Sequence, residues 1–216
     1  KDTKTFDFSS GTICQLSSPH SIAFIDMDGD CLADIVFTCA KAPGDLPNSI
    51  QIWRNRPAEG TFTLSREYNL PSLAGQLSFA DMNGDGTIDL IMPICEESIL
   101  GHKTCKIQIV YNSQIGLCKY GLVWNCRPYH DLCIEDNRYN FDFSEEESTI
   151  IALGDILESA DIVTKLDVTN KFESPIPIRI GDYNNNGFPD ILISTLKGTE
   201  ILESIPCKSC SQKLGR

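Results

Sequence analysis

Asp26, Asp28, Asp30 and Asp34 set four carboxylates at positions 1, 3, 5 and 9 of the nine-residue stretch DMDGDCLAD. The spacing returns as Asp81, Asn83, Asp85 and Asp89 in DMNGDGTID, and as Asp182, Asn184, Asn186 and Asp190 in DYNNNGFPD. Such donors suit calcium, a hard cation that takes six to eight oxygen ligands at about 2.3–2.6 Å. Alternate side chains turned inward, with the backbone carbonyls of Leu32, Thr87 and Phe188 at position 7, would supply most of that shell. The ordinary alternative is a polar turn. Three copies in one chain argue against it and define a repeat protein.

Loop one offers four carboxylates, loop two three and loop three two, so calcium affinity is expected to fall in that order at equal preorganisation. Gly29, Gly84, Gly86 and Gly187 permit the tight turns. Asn185 stands where the other loops have glycine at position 4 and tolerates a left-handed backbone, whereas Cys31 at position 6 is expected to add strain. An EF-hand would need a bidentate Glu at position 12 and flanking helices. Position 12 here is Phe37, Met92 and Ile193, which cannot bind calcium. The EF-hand is excluded.

Positioning these loops falls to short apolar runs. SIAFI precedes loop one and IVF follows it; the other loops are framed by QLSFA and LIM, and by IRIG and ILI. Beta-branched and aromatic residues dominate, and no sustained 3.6-residue period follows, so strands are predicted. SIQIWRN (49–55) and TFTLSRE (61–67) complete a strand, loop, strand, strand, strand unit, which is one blade of a β-propeller. The predicted fold is all-β, with four-stranded antiparallel blades near 20–70, 75–126 and 175–210.

The loop spacing exposes extra sequence. Loops one and two begin 55 residues apart and loops two and three 101, with the excess assigned to an insertion over 127–173. Residues 131–173 hold twelve Asp and Glu against three Lys and Arg, most of the chain's net charge of −12. The apolar stretch 148–166 fits either a helix or a degenerate strand pair, and both readings stay open. In either case the insertion is expected to project from the propeller. With no basic cluster and 21 of 30 carboxylates in loops and insertion, nucleic acid and anionic membrane surfaces are excluded as partners.

Ten cysteines in 216 residues predict an oxidising compartment. Clustering suggests Cys31–Cys39, Cys95–Cys105 and Cys207–Cys210, with a pair among Cys118, Cys126 and Cys133 and the leftover member joined to Cys14. Zinc at Cys207 and Cys210 would need a second ligand pair. There is no Asn-X-Ser/Thr sequon, no signal peptide and no apolar run of about 18 residues. Lys1, opening directly into strand-like sequence, predicts a fragment of something longer.

Phe24-Ile25-Asp26, the loop and Ala33-Asp34-Ile35 resemble the FG-GAP repeats of integrin α-subunit propellers. The order of HSIAFIDMDGDCLADIVF, IQIWRN, LSFADMNGDGTIDLIMPICEES, IPIRIGDYNNNGFPDILI and ESIPCKSC resembles the T-cell immunomodulatory protein family, also called the Linkin proteins. This resemblance covers most of the chain outside 112–173. It implies a single-pass membrane protein with a large extracellular propeller, linked to cell adhesion, tissue integrity or cell–cell signalling. This chain would be about three blades of seven. The acidic insertion departs from the family pattern.

Three blades would leave open sheet edges, which propellers protect by closing the ring. Partners are therefore expected to include further blades of the same precursor or another chain, and proteins bound through propeller faces or edges. A membrane would be met only through a segment outside this sequence. Catalytic vocabulary is thin: His20, His102 and His130 lie in no nucleophile or metal-ligand spacing, and Trp53 and Trp124 read as blade packing. The expectation is a calcium-stabilised extracellular interaction and adhesion module, not an enzyme. The alternatives are an accessory propeller of an extracellular hydrolase or lyase, and a structural part of a surface assembly.

Overall fold

The computed structural model describes residues 7–9, 11–18, 21–43, 45–97, 103–118, 126–130, 132–155, 165–166, 173–174, 178–194 and 198–205. The fold is all-β. One short 3-10 turn, Leu153–Asp155, is the only helical element among the described residues. The first sheet contains β1 (Asp7–Ser9), β2 (Ile22–Ile25), β3 (Asp34–Cys39), β4 (Ser49–Arg56) and β5 (Thr61–Asn69), in the order β1-β5-β4-β3-β2. The second contains β6 (Ser78–Ala80), β7 (Asp89–Glu97), β8 (Lys103–Val110) and β9 (Ser148–Ala152) in sequential order. A minimal pair, β10 (Lys165–Leu166) and β11 (Glu173–Ser174), precedes a three-stranded sheet of β12 (Ile178–Gly181), β13 (Asp190–Ser194) and β14 (Thr199–Leu202). Apart from β1, which pairs parallel to β5, the three main sheets have the up-and-down antiparallel order of propeller blades.

Each acidic loop is the hairpin joining the first two meander strands of its sheet. The register is the same every time: Ile25 pairs with Asp34, Ala80 with Asp89 and Gly181 with Asp190. Position 9 of the loop is thus the first residue of the second strand. That strand lies inside its sheet and, in the first blade, is buried along its whole length, which explains its continuous apolar run.

Sheets pack face to face. Val36, Ile50 and Ile52 of the first meet Leu90, Met92 and Val110 of the second, with Tyr139 and Phe141 completing the cluster. Ile91, Ile107 and Ile109 of the second meet Ile178, Ile191 and Ile193 of the third. The opposite face of the first sheet is sealed by the chain's own beginning. Phe8 stacks on Phe62 at 5.7 Å and meets Trp53 edge-on at 5.1 Å, while parallel β1 covers the edge of β5. Trp53 is fully buried, as packing and not as an exposed platform; Trp124 lies outside the described residues.

Several expectations are corrected. The fourth strand of the second sheet comes from Ser148–Ala152, inside the stretch assigned to an insertion, because β8 ends at Val110 and the chain loops out before returning. That settles 148–152 as strand and not helix; residues 156–164 lie outside the described residues. The described parts of 127–141 are anchored by buried Arg127, Asp136, Tyr139 and Phe141, while Tyr129, Leu132 and Ile134 remain exposed. Cys31 does not pair with Cys39: Cys31 lies in the loop before β3 and Cys39 is the last residue of that extended six-residue strand, which holds them too far apart for a disulfide. The pairs are Cys14–Cys39, Cys31–Cys133, Cys95–Cys105 and Cys118–Cys126. Cys207 and Cys210 lie outside the described residues. Four disulfides are the mark of an oxidising, secretory or extracellular compartment.

Candidate metal centre

The three loops share one hydrogen-bond plan. The carboxylate at position 1 accepts from the backbone N–H of positions 5 and 6: Asp26 from Asp30 and Cys31, Asp81 from Asp85 and Gly86, Asp182 from Asn186 and Gly187. At position 9 each carboxylate divides its oxygens. One accepts from position 2 (Met27, Met82 or Tyr183, at 2.8–3.0 Å). The other accepts from Asn55, Asn112 or Ser204, in or just after the third meander strand, at 2.7–3.0 Å. Asp34, Asp89 and Asp190 therefore bolt each loop to the body of its blade. Sequence spacing had marked these residues as ligands; their second role was invisible because their partners are backbone groups on strands paired only in the fold.

Positions 4 and 6 carry positive φ in every loop: Gly29 and Cys31 at 79° and 67°, Gly84 and Gly86 at 70° and 80°, Asn185 and Gly187 at 56° and 86°. Asn185 does adopt the left-handed conformation, and Cys31 bears the strain expected of a β-carbon there.

Loop one gathers Asp26, Asp28 and Asp34 so that one oxygen from each lies within 4.8 Å of the others. Asp28 and Asp34 are fully buried. Burial pushes Asp34 up to about 7 and also raises Asp28, although Arg54 opposes the latter. A purely oxygen-donor cluster whose charge is unwelcome without a cation fits calcium. When bound, the ion would supply charge neutralisation and cross-linking of the loop, with Asp26, Asp28, Asp30, Asp34 and the Leu32 carbonyl as candidate holders.

Loop two is arranged differently. Burial raises Asp89 to about 7, but Asp85 accepts from the Thr87 hydroxyl at 2.6 Å and from Asn83 Nδ2 at 3.0 Å. Its three carboxylates do not converge as those of loop one do. Asp81, Asn83, Asp85, Asp89 and the Thr87 carbonyl are the candidate holders of an ion there. In loop three Asp190 is buried while residues 182–187 are exposed. Asn186 donates to the Ser204 carbonyl, leaving Asp182, Asn184, Asn186, Asp190 and the Phe188 carbonyl in a more open setting.

Two arginines, single charges in an acidic chain, escaped sequence reasoning. Arg54 forms ion pairs with Asp28 and Glu135 and donates to Asn137. Its cation beside loop one offsets part of the carboxylate excess on which the affinity order rests. Arg127 donates to carbonyls from both loops one and two, at Gly29 (3.5 Å) and Gly86 (3.0 Å). His130 is exposed against Tyr129; His20 and His102 lie outside the described residues.

Gly29 has a second constraint. A β-carbon there would stand 2.3 Å from both Arg127 Nη1 and Gln114 Nε2, whereas one at Gly84 would meet nothing nearer than Phe188 at 3.5 Å. Gly84→Ala should cost about 1–2 kcal/mol from positive φ alone. Gly29→Ala should add roughly 1–3 kcal/mol of overpacking. Urea melts of the two variants check the difference.

The buried carboxylates also set a pH dependence. Because the folded pKa of Asp34 and Asp89 lies above the unfolded value, their contribution is full below about pH 4 and is lost as pH rises through about 7. Glu135, held down to about 2 by hydrogen bonds from Arg56 and then Arg54, stays ionised across that window. Chelator-treated protein should therefore lose stability between pH 5 and 8. Added calcium should bind more tightly over the same interval, and thermal melts at both pH values test the pair of slopes.

This repeated strand, acidic hairpin, strand unit defines an FG-GAP-like repeat protein with propeller-type blades, and the FG-GAP-like repeat family matches residues 26–92. Across most of its length the chain is homologous to the T-cell immunomodulatory proteins. It is 31% identical over 196 residues to the T-cell immunomodulatory protein homolog of Plasmodium falciparum (isolate 3D7), covering 85% of this chain and 26% of that protein. The Plasmodium yoelii yoelii homolog is 29% identical over 198 residues, covering 84% and 26%. The Homo sapiens T-cell immunomodulatory protein is 28% identical over 220 residues, covering 93% and 29%. The chain thus spans about a quarter of the length of these relatives.

Proposed function

We propose that this chain is a calcium-stabilised run of propeller blades in the extracellular or secretory-lumen part of a secreted or membrane-anchored protein, where it acts as a protein-interaction and adhesion module. The observation that carries the reading is the recurrence of one loop geometry at one register in three successive sheets. In loop one, Asp26, Asp28 and Asp34 bring one oxygen each within 4.8 Å of the others, and Asp28 and Asp34 are buried. Calcium is structural here. It fixes the hairpins between the first and second strands of each blade, and with them the loops offered to a protein partner.

The role is non-catalytic, since the convergent carboxylates already hold backbone N–H groups of their own loops. Partners meet the propeller faces or edges, and further blades from the same precursor or another chain continue the ring beyond the third sheet. The relatives are named for modulating T cells, in keeping with recognition of a cell-surface protein. Cells displaying the intact protein, mixed with T cells, test this: calcium should support adhesion, and chelator or Asp26→Asn with Asp81→Asn should abolish it. Adhesion indifferent to all three would contradict the reading.

A further inference from the structure

We propose that Arg127 couples loops one and two, so that they take calcium as one two-site unit while loop three fills independently. The proposal rests on the calcium reading above and adds a connection between sites. Arg127 is nine-tenths buried and spends its planar guanidinium on carbonyls: Nε on Ile115 at 3.0 Å, Nη1 on Leu132 at 3.2 Å and Gly29 at 3.5 Å, and Nη2 on Gly86 at 3.0 Å. Gly29 is position 4 of loop one and Gly86 is position 6 of loop two.

The Gly29 and Gly86 carbonyls each belong to a peptide group whose N–H end touches the candidate ligands. The N–H following Gly29, that of Asp30, donates to Asp26 and Asp28. The N–H following Gly86, that of Thr87, donates to Asp85. A continuous chain of polarised hydrogen bonds therefore runs from the carboxylates of one loop, through one rigid fork, to those of the other. Setting the loop-one peptide for metal fixes the guanidinium, and a fixed guanidinium presets loop two.

The surrounding segment reinforces this link. The Leu117 N–H donates to the Asp85 carbonyl at 2.6 Å, the Asp136 N–H to the Asp28 carbonyl at 2.7 Å, and Cys133 is bonded to Cys31. Both glycines leave room for the contact: a β-carbon at Gly86 would lie 2.4 Å from Leu117, as one at Gly29 would strike Arg127. Among the described residues loop three has no such strap, and a β-carbon at Gly187 would meet nothing described within 4 Å. Ordering a shared element once makes the second binding event easier, and the coupling is reciprocal.

Hydrogen exchange during calcium titration of the intact protein reads each loop separately, through amides 27–34, 82–89 and 183–190. In the unmodified protein, loops one and two should gain protection over one shared calcium range and loop three over its own. Asp26→Asn should move the loop-two midpoint by about tenfold, within the usual range of coupling between sites. Arg127→Gln, and Arg127→Lys, which keeps the charge but loses the fork, should both remove that shift while each loop still fills. A loop-two midpoint unmoved by Asp26→Asn overturns the coupling, and this arm decides the matter even if the Arg127 variants do not fold. Absence of calcium-dependent protection at every loop overturns the calcium reading itself.

Discussion

Replacing Cys31 and Cys133 together by serine should lower stability by about 4 kcal/mol, more than removal of the Cys118–Cys126 bridge. The basis is loop closure in the unfolded chain. Cys31 and Cys133 are 102 residues apart, whereas Cys118 and Cys126 are separated by 8. In the chain-entropy view a closed loop of about 100 residues stabilises by up to about 4.7 kcal/mol, and one of eight residues by about 2.5 kcal/mol. The two bridges nested inside the long loop shorten it only slightly. Disulfides typically deliver somewhat less than the chain-entropy limit, about 2–4 kcal/mol, so the upper end of that range, about 4 kcal/mol, is expected. Removal also frees loop one from the strap that crosses it, so calcium protection at 27–34 should weaken. Urea denaturation of both double variants tests the ranking, and equal losses would contradict it.

Asp34→Ala and Asp89→Ala should each cost about 3 kcal/mol even in chelator. Each deletion strands two backbone donors: Met27 and Asn55 in one case, Met82 and Asn112 in the other. An unsatisfied buried group costs about 1–3 kcal/mol, and relief of a buried carboxylate's desolvation returns part of the sum. Asp30→Ala should be far milder in chelator, because Asp30 is only part-buried and holds a single local N–H, that of Leu32. With calcium present all three variants should lose metal-dependent stability. Thermal melts in chelator separate these roles, and equal losses for Asp30→Ala and Asp34→Ala would contradict the bolt assigned to position 9.

These predictions also mark where sequence reasoning ends. Spacing of like residues reveals a local motif, so the loops, their flanking strands and the Cys95–Cys105 staple were all legible. The left-handed backbone at Asn185 was readable for the same reason. Contacts between distant segments leave no such trace. Ser148–Ala152 looked like part of an insertion because its partner, β8, ends 38 residues earlier. Cys133 carries nothing local to show that it meets Cys31. Nothing local marks Arg54 or Arg127, and only the fold sets one against Asp28 and the other between two hairpins. The parallel pairing of Asp7–Ser9 with Thr61–Thr63 is equally non-local, set by Phe8 finding Trp53 and Phe62.

Differential scanning calorimetry in saturating calcium and in excess chelator tests the central claim most directly. One site filled at one hundred times its Kd stabilises by about 2.7 kcal/mol, and a chain of this size gains roughly 2–4 °C per kcal/mol. Loops one and two together should raise the melting temperature by on the order of 10 °C, and Asp26→Asn with Asp81→Asn should erase the gain. A melting temperature unchanged between calcium and chelator would contradict the account.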